Sequence, residues 1–401
     1  MRLLLLLPFP PDPDGTHGAA RMTGQLLDNL AGAHEVAAIY LRAPEEPPID
    51  AALRERLALA VEVERPSLRG SGQRRRSLRR ALGLVAGRPL WATDWRVPAF
   101  TGRLRELVRD WQPDLVQAEL GVMGQYLAGL AGPTVLVEHD PGAAAAADLA
   151  AWERGPRRLG RRVDAFAWRR YERRVLAAAD ATVAFTEHDR VTLRALAPEA
   201  QVERIAPGVR LPAQPSDPVG TLPPRVLFLG SFIHPPNIDA AIRLARDIMP
   251  SVRARVPEAQ LEIVGDAPPA AVRALAGDRV AVTGRVDDVR PHVDGAAVVA
   301  APLRLGGGMR VKVLEALAAG KAIVATPRAL AGLELVPGTH ALVADRDADL
   351  GVALAELLED PERRRRIGAA AREWAEAHLG WEHAVAAYTG LYERLLAERA
   401  R

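Results

Sequence analysis

The chain has 401 residues, of which 49% are hydrophobic and 26% are charged, with a formal net charge of +3 and no cysteine. This composition is that of an ordinary globular protein, and the length favours two domains. The lack of cysteine excludes a disulfide framework and a thiolate zinc site, and we expect a cytoplasmic location.

The first half of the chain alternates short β-rich runs with helical stretches. The opening apolar run ends at Pro8 and is shorter than the core of a secretion signal, so we interpret it as a buried strand. No later window holds about 18 consecutive apolar residues, and no transmembrane helix is expected. Further strands are predicted at "EVAAIYL", "DLVQAE", "TVLVEHD" and "ATVAFT", and helices over 19–31 and through the 160s and 170s. This alternation is typical of a parallel sheet covered on both faces.

The second half repeats the same alternation after a proline-rich stretch, "IAPGVRLPAQPSDPVGTLPP". Strands are predicted at "RVLFLG", "QLEIVG", "VAVTG", "AAVVAAPL" and "AIVAT", and the chain from about Pro361 onwards is predicted to be helical. The fold class is therefore α/β, with two Rossmann-like doubly wound domains facing a cleft where a ligand would bind. The predicted boundaries are an N-terminal domain over 1–210, a linker over 211–224, a C-terminal domain over 225–380 and a last helix over 381–401 that packs back on the N-terminal domain.

The stretch "LRLGGGMRVKVLEALAAG" places three glycines between a strand and a helix, with Arg310 in the first turn of that helix and Lys312 and Glu315 beyond. Backbone N–H groups at a helix N-terminus favour an anion, and glycines allow the anion to approach closely. Two cations there predict a diphosphate site, while Glu315 suits the paired hydroxyls of a ribose. The alternative is a plain Lys312–Glu315 helix pair, which leaves the glycines and Arg310 unexplained.

This stretch resembles the donor-binding signature of family 4 of the retaining glycosyltransferases, which adopt the GT-B fold. "FLGSFIHPPNIDAAI", "PEAQLEIVGDAPP", "VTGRVDDVRPHV" and "HLGW" resemble further parts of the same domain. The resemblance implies that the N-terminal domain binds the acceptor and the C-terminal domain binds the nucleotide-sugar donor. It covers about 170 residues well.

By this resemblance, the diphosphate is held by the glycine loop and two cations, the ribose by Glu315, and the base by a turn after a strand. The implied donor-binding residues are Gly230, Ser231, Gly284, Arg285, Val286, Gly306, Gly307, Gly308, Met309, Arg310, Lys312 and Glu315. Two departures concern the sugar and the phosphates. Gly307 stands where the family commonly has a first glutamate, and the loop "GSFIHPPN" lacks the arginine and lysine found in many members.

The N-terminal half supplies candidates on the sugar and acceptor side. "PFPPDPDGTHGAAR" resembles the family's first loop, which implies roles for Gly15, Gly18 and Arg21 near the transferring sugar. His139 lies at the end of the predicted strand "TVLVEHD", and the family places a histidine there in contact with the donor sugar. The alternative is a structural histidine. The same trio of letters, "EHD", recurs at 187–189, where Glu187 resembles a family position.

The predicted reaction is retaining transfer of a hexosyl group, with the leaving phosphate acting as base and Arg310, Lys312 and the glycine amides stabilising its charge. His139 is the third candidate catalytic residue. No metal is expected, although Asp12/Asp14 and "DRDAD" over 345–349 are Asp-x-Asp patterns that could hold one. The alternatives are another enzyme on this fold, above all a nucleotide-sugar epimerase, or a non-catalytic partner subunit.

Two arginine-rich stretches bear on the partners of the chain. The segment Arg65–Arg80 holds seven arginines and no acid, and "RRLGRRVDAFAWRRYERR" covers 157–174. They predict either a peripheral contact with the inner face of a membrane, through Arg65–Arg80, or a solvated face. Nucleic acid is not expected, because only 4% of the residues are aromatic and no recognition motif accompanies the arginines.

Overall fold

The computed structural model describes residues 1–15, 18–67, 73–217, 219–286, 288–305 and 310–401. Its strands form two parallel sheets, one in each half of the chain. The first sheet contains β1 (Arg2–Leu7), β2 (Glu35–Arg42), β3 (Leu59–Glu64), β4 (Leu115–Glu119), β5 (Thr134–Glu138), β6 (Ala181–Ala184) and β7 (Val202–Arg204). The second contains β8 (Arg225–Leu229), β9 (Gln260–Val264), β10 (Val280–Gly284), β11 (Val298–Ala301), β12 (Ile323–Ala325) and β13 (Leu342–Val343).

Helices cover the faces of both sheets. Those of the first half are α1 (Gly18–Leu30), α2 (Ala51–Arg56), α3 (Gln73–Val85), α4 (Leu90–Asp94), α5 (Pro98–Trp111), α6 (Gly142–Trp152), α7 (Arg157–Ala178) and α8 (Glu187–Leu196). Those of the second half are α9 (Pro235–Arg243), α10 (Met249–Arg255), α11 (Ala270–Arg273), α12 (Arg290–Gly295), α13 (Val311–Ala318), α14 (Asp347–Glu359), α15 (Pro361–His378) and α16 (Trp381–Arg399). Within these described ranges, we find no helix with the length and apolarity needed to cross a bilayer.

The strand order identifies the place in each sheet where ligands bind. The orders are β3-β2-β1-β4-β5-β6-β7 and β10-β9-β8-β11-β12-β13. In both sheets the order reverses beside the first strand, between β1 and β4 and between β8 and β11. Crevices at the carboxyl ends of such strands are the usual ligand sites of doubly wound sheets. The predicted α/β class with two doubly wound domains is confirmed.

Strand β1 shows why an unbroken apolar run folds as a strand here. Leu3, Leu5 and Leu7 enter the core layer on one face of the sheet, and Leu4 and Leu6 enter the layer on the other face. All five leucines are fully buried. Each contributes roughly 1.5–3 kcal/mol by leaving water.

The last helix belongs to the core of the first half, although it follows the second half in sequence. Trp381, Tyr388 and Tyr392 of α16 are buried in the same layer as Leu3. Trp381 also lies against Gly208, where an added Cβ would come within 2.2 Å of the indole ring. The packing of α16 therefore ties the end of the chain to the first sheet.

Candidate functional site

The two switch points lie close to each other across the cleft. Arg21 of α1 donates a hydrogen bond to Glu315 of α13, and Arg328 pairs with Asp148. A Cβ added to Gly18 would lie 3.8 Å from Cβ of Val311. The start of α1 and the start of α13 thus lie on opposite sides of one site.

The start of α13 places both predicted cations at this site. The helix begins at Val311, and Arg310 is its N-cap residue with φ −89° and ψ 84°. Arg310 therefore precedes the helix, which corrects the prediction that it lies in the first turn, because its backbone is not helical. Four predicted donor residues, Gly306, Gly307, Gly308 and Met309, lie outside the described residues.

Lys312 is held by neutral groups. Its Nζ donates to Oδ1 of Asn237 at 2.6 Å and lies 4.7 Å from the centre of the Phe228 ring. In the described part of the chain, no salt bridge involves Lys312. Burial, reinforced by the neighbouring charge of Arg310, lowers the pKa of Lys312 to about 7. The charge of Glu315 favours the protonated form less strongly than burial opposes it, so an anion arriving here would add counter-charge.

Asn237 connects Lys312 to the loop that follows β8. Its Nδ2 donates to the carbonyl oxygen of Ser231 at 2.7 Å, and a Cβ on Gly230 would meet Cγ of Asn237 at 2.9 Å. Gly230 and Ser231 are thus brought beside Lys312 through Asn237. Sequence reasoning missed Asn237, whose signal is its place eight residues beyond the end of β8.

Glu315 and Arg21, predicted to act on different parts of the ligand, are partners in this structure. Arg21 also donates from Nη1 to the carbonyl oxygen of Gly15 at 2.8 Å, so one side chain connects the first loop to α13. Beside the pair lies a cavity of about 480 Å³, which is within the usual size of small-molecule sites. Arg21 occupies Oε1 of Glu315, so a ribose bound by Glu315 would bond to Oε2 or displace Arg21.

The turn predicted to contact the base ends β10. Gly284 has a φ of +74°, the left-handed region that favours glycine, and a Cβ there would meet open space. Arg285 is exposed, Val286 is half-buried, and Asp288 and Arg290 just beyond line the cavity. The turn therefore lies next to the cavity beside Glu315.

His139 directly follows β5, which ends two residues before the end of the predicted strand, and it is fixed by a buried carboxylate. Its Nε2 lies 2.8 Å from Oε2 of Glu119, and its ring packs against Phe185 at 4.8 Å between centroids. Glu119 ends the neighbouring strand β4 and is 1% exposed. Sequence reasoning missed Glu119, because the pairing of β4 with β5 is what brings the two residues together.

Two aspartates that were not predicted face Arg310 from the N-terminal half. The charge of Arg310 lowers the pKa of both Asp140 and Asp189, while burial raises the two pKa values more strongly. For Asp140 the result is a pKa of about 7. Oδ1 of Asp140 is buried and makes no hydrogen bond with any described residue. The repeated "EHD" is the signal that could have found both residues.

The contacts of Glu187 do not place it beside Arg310, Asp140 and Asp189. Both of its carboxylate oxygens accept hydrogen bonds from Arg190 on the same helix, at 2.6 and 2.8 Å. Its side chain is 51% exposed, whereas Asp189 is buried and its carboxylate accepts a hydrogen bond from the hydroxyl of Thr186, the N-cap residue of α8. Asp189 is thus the residue of this trio that faces the site.

The two Asp-x-Asp patterns are engaged by arginines. Asp14 pairs with Arg210, Asp347 with Arg243, and Asp349 with Arg346. No group of three potential metal-ligating side chains occurs in the part of the chain that the structure describes.

Several arginines of the segment Arg65–Arg80 are used inside the protein. Arg65 is 4% exposed, pairs with Glu46 and lies over the Trp95 ring. Arg76 and Arg80 both donate to the fully buried carboxylate of Asp94. The segment is therefore not a uniformly solvated basic face.

Comparison with known proteins matches each half to a family model. Residues 16–211 match the model described as Glycosyltransferase Family 4, and residues 223–360 match the model described as Glycosyl transferases group 1. Together the two models cover most of the chain.

Two curated relatives carry the names of mannosyltransferases. The chain is 38% identical over 147 residues to the GDP-mannose-dependent monoacylated alpha-(1-6)-phosphatidylinositol monomannoside mannosyltransferase of Corynebacterium glutamicum, a match that covers 33% of this chain and 39% of the relative. It is 32% identical over 214 residues to the GDP-mannose-dependent alpha-(1-6)-phosphatidylinositol monomannoside mannosyltransferase of Mycobacterium tuberculosis, covering 47% and 54% respectively. The chain thus spans about half the length of these relatives or less.

Solved structures share the fold over the whole chain. A sucrose-phosphate synthase from Thermosynechococcus elongatus superposes with a TM-score of 0.75 at 19% identity, covering 99% of this chain and 100% of that one. At this level of identity, the likeness concerns the two-domain GT-B architecture alone.

Proposed function

Because the chain belongs to glycosyltransferase family 4, we propose that it moves a sugar from a nucleotide-sugar donor to a hydroxyl group of an acceptor. The observation that carries the proposal is Lys312, a partly buried amine whose hydrogen-bond and ring contacts are neutral, beside Arg310 at the switch point of the second sheet. Such a pair attracts a diphosphate and stabilises the charge that builds on it as the sugar leaves.

The proposed stereochemical outcome is retention. In this mechanism the leaving diphosphate takes the proton of the acceptor hydroxyl, and the protein holds both groups in place. Arg310, Lys312 and the loop amides of 306–308 would stabilise the diphosphate, Glu315 would bind the ribose, and His139 would contact the sugar. No metal is required in this proposal, because the two cations meet the diphosphate directly.

GDP-mannose is the donor that we propose, with a lipid-linked hydroxyl as the acceptor. The names of the two mannosyltransferase relatives support this choice. The cavity beside Glu315 is where the nucleoside would lie.

The test is calorimetric titration of the full chain with GDP, UDP, TDP and ADP, followed by a transfer assay with GDP-mannose and phosphatidylinositol monomannoside. We expect GDP to bind most tightly, the Arg310→Ala and Glu315→Ala variants to lose binding, and NMR of the product to show the anomeric configuration of the donor. An inverted product would contradict retention. Binding of no nucleotide would favour a non-catalytic partner subunit, and conversion of the donor sugar without an acceptor would favour an epimerase.

We also propose that the chain contacts an anionic membrane surface through one face of α3 and α7, which we name the α3/α7 surface. Helix α3 exposes Leu78, Leu82 and Val85, and α7 exposes Leu159, Val163 and Phe166. Both sets are spaced i, i+4 and i+7, so each forms one apolar stripe along its helix. An exposed stripe on each of two helices is unusual for a surface in contact with water alone.

Helices α3 and α7 lie near each other, and α7 is rich in positive charge. A Cβ added to Gly87, two residues beyond α3, would lie 3.2 Å from Cδ of Arg170 on α7. Helix α7 carries eight arginines, and its two acids, Asp164 and Glu172, are both buried. Apolar side chains fringed by arginines match a bilayer interface with anionic headgroups. A lipid-linked acceptor would be met at that interface.

Co-sedimentation with vesicles tests the α3/α7 surface. We expect the protein to pellet with phosphatidylglycerol vesicles, to pellet less at high salt, and to stay in solution with phosphatidylcholine. The Leu82→Ser/Phe166→Ser double variant should lose most of the binding. Val191→Ser/Val352→Ser, which changes two valines exposed on α8 and α14, is the matched control. Equal pelleting of the two double variants would contradict the proposal.

A further inference from the structure

A buried chain of hydrogen bonds leads from the last helix to His139. The hydroxyl of Tyr392 donates to Oε1 of Gln117 at 2.6 Å, and Nε2 of Gln117 donates to Oε1 of Glu119 at 2.6 Å. The other oxygen of Glu119 lies 2.8 Å from Nε2 of His139. Tyr392 and Gln117 are fully buried and Glu119 nearly so. Residues of β4, the residue after β5 and α16 therefore form one polar path through an apolar core.

The chemistry of these groups gives every hydrogen bond in the path one direction. Both oxygens of a carboxylate accept, so the amide nitrogen of Gln117 must face Glu119 and its oxygen must face Tyr392. The opposite orientation of the amide would place its oxygen against the carboxylate. Since Oε2 of Glu119 can only accept, Nε2 of His139 must carry the proton.

A proton on Nε2 determines what the other nitrogen of the ring does. In a neutral imidazole that carries its proton on Nε2, Nδ1 has a lone pair and accepts a hydrogen bond. Among the described residues, none donates to Nδ1 of His139. The ring orientation is fixed on two sides, by Glu119 at Nε2 and by Phe185 against the ring face. The acceptor nitrogen is thus available to a ligand.

We propose that Glu119 is a positioning residue, held by Gln117 and Tyr392, which keeps His139 in the Nε2–H form so that Nδ1 accepts a hydrogen bond from a hydroxyl of the donor sugar. This inference rests on the proposed function, in which His139 contacts that sugar. Glu119 acts through His139 and touches no substrate itself. Because Tyr392 belongs to α16, the docking of the last helix supports the same histidine.

The Glu119→Gln variant is the most direct test, because it reverses the direction of the hydrogen bond to Nε2 of His139 at nearly constant side-chain volume. Gln117 would still donate to the new amide oxygen, which leaves the new amide nitrogen facing Nε2 of His139. That nitrogen can only donate, so the proton of His139 should move to Nδ1. We expect ¹⁵N NMR of histidine-labelled full-length protein, assigned with a His139→Asn variant, to show this exchange of tautomers.

Activity should follow the tautomer. Loss of the outer partner of a metal-bound histidine typically costs 10–100-fold in activity, and by analogy we expect a decrease of about this size in kcat for Glu119→Gln. Tyr392→Phe, which keeps Glu119 and weakens its support, should reduce kcat by less than about tenfold. Tyr388→Phe removes a hydroxyl one turn earlier on α16, outside the path, and should change neither readout.

The NMR readout separates this inference from the proposed function, because it requires no turnover. If the unmodified chain transfers no sugar, the proposed function fails, while the tautomers of His139 still test the role of Glu119. Should Glu119→Gln not fold, as judged by circular dichroism, Glu119→Met serves instead, with a mixture of tautomers expected because no carboxylate then faces Nε2 of His139. An Nε2–H tautomer that persists in the folded variant overturns the inference.

Discussion

The two halves of the molecule bury charges of opposite sign where their switch points meet. The C-terminal half contributes Arg310 and Lys312, and burial lowers the pKa of both. The N-terminal half contributes Asp140 and Asp189, and burial raises the pKa of both. A cationic edge suits a diphosphate, whereas carboxylates and a histidine suit sugar hydroxyls. In each half, burial opposes ionisation of the groups that its own part of the ligand would contact.

Lys312→Met gives the largest expected effect, because it removes the ammonium and keeps most of the apolar stem. A charge-assisted hydrogen bond contributes roughly 1.5–3 kcal/mol, so we expect binding of the nucleoside diphosphate to weaken by about 10–100-fold. Calorimetric titration measures the change.

Arg304→Ala is the control for the general positive field near the site. Arg304 pairs with Asp239 at 2.7 and 2.8 Å on the same connection and is half exposed. We expect less than a twofold change in affinity, since exposed charges are screened. If Arg304→Ala and Lys312→Met lose the same affinity, binding depends on the general positive charge near the site and not on Lys312 in particular.

The pH dependence of diphosphate binding should report the protonation of Lys312. Because burial lowers the pKa of Lys312 to about 7, the free protein at pH 8 carries this amine largely unprotonated. A bound diphosphate favours the ammonium, so binding at pH 8 should take up a proton, and affinity should fall by up to about tenfold per pH unit above 7. Work between pH 7.5 and 9 avoids titration of the phosphate itself, whose pKa is near 6.

Calorimetry in buffers of different ionisation enthalpy measures the proton uptake. Lys312→Met should bind without it and with a flat pH profile over the same range. Proton uptake that survives in Lys312→Met would assign the titrating group elsewhere.

The fold could be predicted from the sequence, because continuous apolar runs mark the buried strands and a proline-rich stretch marks the boundary between the two halves. The unbroken leucines of β1 and the proline-rich stretch before β8 predicted two doubly wound sheets. Strand β3 was missed, because Leu59–Glu64 alternates apolar and acidic residues at a sheet edge, where only part of the strand is buried. Strand β13 has two residues, which is too short to produce a pattern.

The site was accessible only where its residues are close in sequence. Arg310, Lys312 and Glu315 lie within one short stretch, and the glycines beside them indicate an anion. The partner of Lys312 is 75 residues away and that of Glu315 is 294 residues away, so sheet topology alone brings them together. The same holds for Glu119 beside His139. Between Glu187 and Asp189 the sequence offered two acids, and only the start of α8 decides which one faces inward.

Asp140→Asn examines the anionic side of the comparison and has a smaller expected effect. Because burial raises the pKa of Asp140 to about 7, the folded protein keeps a proton that the unfolded chain has released between about pH 4 and 7. Stability from this group therefore falls as pH rises through that window and is lowest above it. We expect Asp140→Asn to raise Tm by about 2–4 °C at pH 8 and to have no such effect near pH 4.

The control for this variant is Asp110→Asn, which neutralises an exposed aspartate of α5 that pairs with Arg109. Thermal unfolding monitored by circular dichroism should show no gain for this control. A lower Tm for Asp140→Asn at pH 8 would mean that attraction to Arg310 outweighs the cost of burial. The buried cations and carboxylates of the two halves would then stabilise each other without a ligand.

Removal of divalent metal has the smallest expected effect, which is none. In the proposed function, Arg310 and Lys312 meet the charge of the diphosphate, a task that a divalent ion performs where such cations are missing. Transfer from GDP-mannose should therefore proceed at the same rate with a chelator as with added magnesium. If a chelator abolishes transfer and magnesium restores it, Arg310 and Lys312 are insufficient to balance the charge of the diphosphate. A bound divalent ion would then be required in addition to the charges of the two halves.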